Sequence, residues 1–128
     1  MRFLLETHTL LWWVEGTGDL SSAVQNRLDD RANDLLISVA TPWELAIKTK
    51  TGKLDARRLL RDLEQGLLCD QLAVLQAETR HVIRAGYLPS HHKDPFDRLL
   101  VAQALDLHLP IISSDQTLDL YGVQRIWD

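Results

Sequence analysis

Short apolar runs alternate with longer segments of helical periodicity along the whole chain. Phe3-Leu4-Leu5 reads as a buried strand that ends at Glu6. It feeds a helix carrying Leu10, Leu11, Trp12, Trp13 and Val14 up to Gly16 and Gly18, with Thr7 or Thr9 as the N-cap. Ser21 or Ser22 caps a second helix whose inner face holds Val24 and Leu28, and Leu35 to Val39 is a second strand. Thr41-Pro42-Trp43-Glu44 predicts a helix start, with a capping hydroxyl, proline at the first helical position and an early acid; that helix stops at Gly52. Leu54 to Leu68 is an amphipathic helix, Leu72 to Leu75 a third strand, and Glu78 to Ala85 a helix ending at Gly86. After a polar loop over Pro89 to Lys93, Asp94-Pro95 opens a long helix to about His108. Pro110 to Ser113 is a fourth strand, Thr117 to Tyr121 a helical turn, and Val123 to Trp127 a last short strand.

Strands alternating with helices predict an α/β fold with a mainly parallel central sheet of about five strands and helices on both faces. The strands lack period-two alternation, as expected when both sheet faces are covered. In such folds functional sites lie beyond the carboxyl ends of the strands. Glu6 and Asp115 stand at two such ends. No repeat or Pro/Gly-rich linker divides the chain, so residues 1–128 read as one domain.

Composition adds little that conflicts. The chain has 128 residues, 45% hydrophobic and 25% charged, which suits one soluble core rather than a disordered or fibrous protein. A single cysteine, Cys69, makes no internal disulfide and points to a reducing cytoplasm. No apolar run approaches the roughly 20 residues of a membrane span, and Glu6 falls too early for a secretory signal. The formal net charge of −4 argues at first against a nucleic-acid partner.

The acids change that picture. Glu6, Glu44, Asp94, Asp97 and Asp115 occupy strand ends or first helical turns, and Asp94 and Asp97 lie three apart at one helix start. If the first and fourth strands are neighbours, these carboxylates converge at one sheet edge. Clustered carboxylates resist joint ionisation, and a bound cation removes that cost. Hard oxygen ligands favour Mg²⁺ or Mn²⁺, ions suited to phosphodiester hydrolysis. Three of the acids also have a plain structural reading: Glu44 as a partner of the helix dipole or of Lys48, Asp94 as an N-cap, Asp115 as a turn residue or cap; Glu6 is the hardest to dismiss, since an acid rarely ends a buried apolar strand without a partner. Without the five acids, thirteen acids would face 14 bases, so the surplus negative charge would sit in one pocket.

Four segments carry a family resemblance. Leu4-Leu5-Glu6-Thr7-His8-Thr9-Leu10-Leu11-Trp12-Trp13 is similar to the opening of PIN-domain ribonucleases of the VapC toxin type. Thr41-Pro42-Trp43-Glu44-Leu45-Ala46-Ile47-Lys48 with Gly52-Lys53-Leu54 resembles their second motif, His92-Lys93-Asp94-Pro95-Phe96-Asp97-Arg98 through Ala104 their third, and Ser113-Ser114-Asp115 their fourth. The resemblance implies a PIN fold and a Mg²⁺- or Mn²⁺-dependent endoribonuclease acting on transfer RNA or other structured RNA. It implies a toxin neutralised by a VapB-type antitoxin, commonly a homodimer. It implies Glu6, Glu44, Asp97 and Asp115 as metal-binding acids, with Asp94 supporting Asp97 and Ser114 bonding a carboxylate or water. Arg98 reads as a phosphate contact or a salt bridge to a nearby acid.

One position departs from the pattern: the family has Asp where this chain has Glu6. The extra methylene moves the carboxylate by about 1.5 Å, and Mg²⁺ tolerates little geometric error. The expectation is reduced metal affinity and activity, or in the limit an inactive RNA- or antitoxin-binding module. A phospho-receiver domain also places acids beyond strand ends, but Leu75-Gln76 stands where its third-strand Asp would be.

Outside the acids, Lys48, Lys50, Lys53, Arg57, Arg58 and Arg61 form the densest basic stretch, suited either to an RNA backbone or to a solvated helix face. No zinc spacing accompanies His8, His91 and His92, and the latter two read as a loop near the site. Trp12, Trp13 and Trp43 read as packing residues before base-stacking ones.

Overall fold

The apolar runs do become strands. In the computed structural model, which describes Met1–Asp128, β1 (Arg2–Leu5), β2 (Asp34–Ser38), β3 (Leu72–Leu75), β4 (Ile111–Ile112) and β5 (Arg125–Ile126) form one sheet. Its order is β3-β2-β1-β4-β5 and every neighbouring pair is parallel. Leu4 and Leu5 register with Ile111 and Ile112, so the first and fourth strands are neighbours. The helices are α1 (Thr7–Glu15), α2 (Ser22–Asp29), α3 (Ala40–Lys50), α4 (Arg57–Gln65), α5 (Thr79–Tyr87) and α6 (Pro95–Leu107), with a 3-10 helix over Gln116–Tyr121. No helix is long and apolar enough to cross a membrane.

Successive strand residues point to opposite faces, and here each face has its own core. Phe3, Leu5, Leu35 and Ile37 pack on Leu10 and Leu11 of α1, Val24 and Leu28 of α2, Leu45 of α3 and Leu59 of α4. Leu4, Leu36 and Ile111 pack on Leu100, Val101 and Ala104 of α6 and on Leu118. Full burial of such a side chain contributes roughly 1.5–3 kcal/mol, so the two layers fix strand register as well as stability. β3 departs from the two-sided burial the sequence suggests: as an edge strand it leaves Ala73 and Val74 exposed.

Several boundaries shift for identifiable reasons. Neither Thr7 nor Thr9 caps α1; the Glu6 carboxylate does, accepting from the His8 amide at 2.9 Å. The Thr9 hydroxyl instead donates to the Ile112 carbonyl at 2.9 Å and ties α1 to β4. α3 starts before Thr41, because the Ser38 hydroxyl accepts from the Ala40 amide. Pro42 then lies in the first turn, where an N–H has no intrahelical partner anyway. α4 is shorter than the amphipathic pattern and stops at Gly66, which adopts φ 67°. α5 runs through Gly86, since Arg98 donates to the carbonyls of Gly86 and Leu88 at its end.

Gly18 adopts φ +80°, and a Cβ there would fall inside the Trp12 indole. Trp12 is held in turn against Trp127, ring centroids 5.9 Å apart. Gly18→Ala combines backbone strain with overpacking and is expected to cost about 2 kcal/mol. A denaturant midpoint unchanged from wild type would contradict this account.

Candidate functional site

A parallel sheet gathers all its strand carboxyl ends at one edge. Glu6 leaves β1 there, the turn into α3 leaves β2, and Ser113 leaves β4. α6 leads into β4 and therefore begins at the same edge, which brings Asp94 and Asp97 to it. All five sequence-predicted acids thus share one neighbourhood; the fields of three of them act on Asp97, and Asp115 joins through His92. Asp97, with its side chain 13% exposed, is pushed up to about 7, first by burial and then by the charges of Asp94, Glu6 and Glu44.

The other acids are each provided with donors. Glu6 is buried; Oε2 takes the His8 amide and Oε1 lies 2.8 Å from His8 Nδ1. That hydrogen bond raises the His8 pKa above its ordinary value against the opposing effect of burial. Glu44 is 3% exposed. Its Oε1 accepts from the Thr7 hydroxyl at 2.6 Å and its Oε2 from Lys48 Nζ at 2.7 Å. The Glu44 bond in turn raises the Lys48 pKa, with help from the charges of Asp94 and Asp97. Asp94 is the N-cap of α6, accepting from the Phe96 amide at 2.8 Å. Asp115 caps the 3-10 helix through the Thr117 amide at 3.0 Å. Burial pushes its carboxyl up, but Thr117 and His92 outweigh that and hold it below the usual range.

The tightest grouping contains a residue outside the predicted acid set. His92 Nε2 lies 3.1 Å from Asp97 Oδ2 and 3.0 Å from Asp115 Oδ2, joining an acid on α6 to one after β4. His92 and these two acids form the one close cluster of potential metal-ligating side chains. Asp97 and Asp115 offer hard carboxylate oxygens, and three more carboxylates supply negative field. That donor set fits Mg²⁺ or Mn²⁺.

Two supporting residues do something other than expected. Arg98 pairs with no carboxylate: its guanidinium donates to the carbonyls of Pro89, His92, Gly86 and Leu88 at 2.8–3.2 Å. It clamps the loop between α5 and α6. Ser114 is exposed, and it is the buried Ser113 hydroxyl that bonds here, accepting from the Asp115 amide at 3.0 Å. Thr7 belongs to the site through Glu44, a role hidden by its plausibility as a helix cap.

The basic and aromatic residues are spread more widely. Lys50 and Lys53 are exposed, whereas Lys48 is drawn onto Glu44 and Arg57 onto Asp55. Trp13 packs on the core and donates to Asp29 at 3.0 Å. Trp43 departs from the packing expectation: it is 65% exposed and meets Phe96 edge to face at 5.2 Å. These two rings immediately precede Glu44 and Asp97 in sequence.

The Asp97 shift has a definite sign. Its folded pKa is raised from 3.8 to about 7, so its contribution to stability is full below about pH 4 and is lost as pH rises through 7. Asp97→Asn in the presence of a chelator is therefore expected to raise the melting temperature by several degrees at pH 8 and hardly at all at pH 4. Equal effects at the two pH values would refute the electrostatic reading of this site.

Comparison with known proteins agrees with the geometry. The PIN domain family model matches residues 3–123. The fold superposes on the crystal structure of DNA-bound VapBC from Salmonella typhimurium with a TM-score of 0.72, at 18% identity over 100% of this chain and 99% of that one. For VapBC2 from Rickettsia felis bound to a promoter DNA fragment the TM-score is 0.70, at 15% identity over 100% of both chains. For VapBC-1 from nontypeable Haemophilus influenzae it is 0.68, at 19% identity over 98% and 97%. No curated protein sequence matches the chain.

Proposed function

The chain belongs to the PIN-domain family, and from that premise we propose that it is a VapC-type toxin: a Mg²⁺- or Mn²⁺-dependent endoribonuclease acting in the cytoplasm on structured RNA such as transfer RNA. The observation that carries this reading is geometric: Asp97 and Asp115 bring carboxylate oxygens from two segments to one point at the sheet edge, among three further acids. Burial and the charges of Asp94, Glu6 and Glu44 raise Asp97 despite the opposing effect of His92, and a bound cation would relieve that repulsion. When bound, such an ion polarises a phosphodiester and promotes attack by water. Asp97 and Asp115 would hold it, with Glu6 and Glu44 completing the field and Asp94 fixing the start of α6 beneath Asp97. Lys50 and Lys53 would track the RNA backbone, and the exposed Trp43 offers a face for an unpaired base. A VapB-type antitoxin is the expected inhibitor, since the structural relatives are VapBC complexes. A homodimer is the expected assembly.

One feature favours a weaker variant of this reading. Both Glu6 oxygens are engaged by His8, so the longer side chain folds back on its own helix. A catalytically attenuated chain, acting mainly by binding RNA or antitoxin, would follow from that commitment.

Incubation with a transfer RNA pool is expected to show cleavage that requires Mg²⁺ or Mn²⁺ and falls by at least about 10²-fold in Asp97→Asn. Metal-independent cleavage, or full activity in Asp97→Asn, would reject the nuclease site. Glu6→Asp is expected to raise activity if Glu6 attenuates the chain; unchanged activity means that Glu6 serves as well as the family's Asp.

Replacing Lys50 and Lys53 together by Gln should weaken RNA binding and reduce its dependence on salt by about two units of slope at most. An unaltered salt slope would show that these lysines only solvate the helix end.

A further inference from the structure

We propose that His92 is the positioning residue of the acid site, a brace whose ring N–H bonds Asp115 and packs against Asp97, and so sets the working separation of the two acids. The proposal rests on the metal-nuclease reading above but is derived from hydrogen-bond geometry alone.

The tautomer is set by a neighbour that has no choice. The Asp94 backbone N–H points at His92 Nδ1, 3.2 Å away. A backbone amide only donates, so Nδ1 must present its lone pair and the ring hydrogen resides on Nε2. That Nε2–H faces Asp97 Oδ2 at 3.1 Å and Asp115 Oδ2 at 3.0 Å. The ring N–H is hydrogen-bonded to Asp115 and lies in close electrostatic contact with Asp97, two carboxylates from different segments that would otherwise repel each other. Direct ligation of a cation by Nε2 would need the lone pair there and the hydrogen on Nδ1, aimed into the Asp94 N–H. The arrangement therefore assigns His92 to the layer behind the ligands.

The brace is anchored independently of the acids it holds. The His92 amide donates to the Tyr121 hydroxyl at 2.8 Å, and that hydroxyl donates onward to the Pro89 carbonyl at 2.8 Å. The His92 carbonyl accepts from Arg98. Arg98 and Tyr121 fix the loop, the loop fixes His92, and His92 fixes the two carboxylates. This chain of contacts gives a function to Arg98 that neither phosphate binding nor an acid pair would supply. Loss of a partner that orients metal-binding side chains typically costs 10–100-fold in metal affinity or activity.

The test uses the full chain and Mn²⁺ as the probe, with affinity read by electron paramagnetic resonance. His92→Ala is expected to weaken Mn²⁺ binding by about 10-fold or more. His92→Gln, whose terminal amide can donate from a similar reach, is expected to recover most of the loss. Circular dichroism confirms that each variant is folded. Wild-type affinity in His92→Ala would overturn the proposal. A His92→Gln as weak as His92→Ala would also overturn it, since that is the behaviour of a lost ligand. Long-range ¹H–¹⁵N spectra of the wild-type chain are expected to show the Nε2–H tautomer for His92, and an Nδ1–H signal would overturn the brace. If wild-type chain binds no Mn²⁺, the metal reading fails while the tautomer measurement still judges the brace.

Discussion

Repulsion among carboxylates at one edge of a parallel sheet is the constraint to which the rest of this structure answers. Parallel strands leave no freedom about where their carboxyl ends go. With β1 beside β4 and α6 returning to the same edge, five acids are brought together. Four of them are compensated separately. Glu6 takes the N-terminus of α1 and His8, Glu44 takes Thr7 and Lys48, Asp94 takes the first turn of α6, and Asp115 takes Thr117 and His92. These donors are local: each is within four residues of its acid except Thr7 and His92. Asp97 has only the approach of the His92 ring, and burial with the neighbouring carboxylates pushes its carboxyl up.

That division explains what was readable in the chain. Strands came through because runs such as Leu35-Leu36-Ile37 have no competing interpretation, and the two-sided burial they imply is what the two cores provide. The shared location of the acids was legible because their positions at strand ends and helix starts are visible as positions. Their pairwise geometry was conditional on the adjacency of β1 and β4, which periodicity does not encode. Helix starts were less legible, since several neighbouring side chains are competent caps. Glu6 outcompeted Thr7 because its carboxylate reaches the His8 amide while Thr7 is turned toward Glu44.

Arg98 and His92 were misread or passed over for a different reason. The partners of Arg98 are backbone carbonyls, which carry no residue-type signature, so a guanidinium beside an acidic motif looks like an electrostatic group when it is a loop clamp. His92 sits two residues before Asp94, and only the folded path of the loop carries its ring across to Asp115. The absence of zinc spacing gave the sequence no reason to single out this histidine. Spacing rules address ligands on one element, whereas this ring joins two elements separated by a strand.

The same constraint bears on the apparent conflict between a net charge of −4 and the proposed RNA partner. Repulsion of phosphate would follow if the negative surplus were spread over the surface. Here five carboxylates are confined to one sheet edge, with four of them partly neutralised by internal donors and with exposed lysines at the end of the adjoining helix. Glu6 sharpens the point. Its charge is directed onto α1 and His8, yet it still raises Asp97, so the longer side chain changes where its oxygens bond without removing its field from the site. The field that attracts a cation and the oxygens that hold it are separable properties. In this chain substitution at position 6 bears first on the second of them.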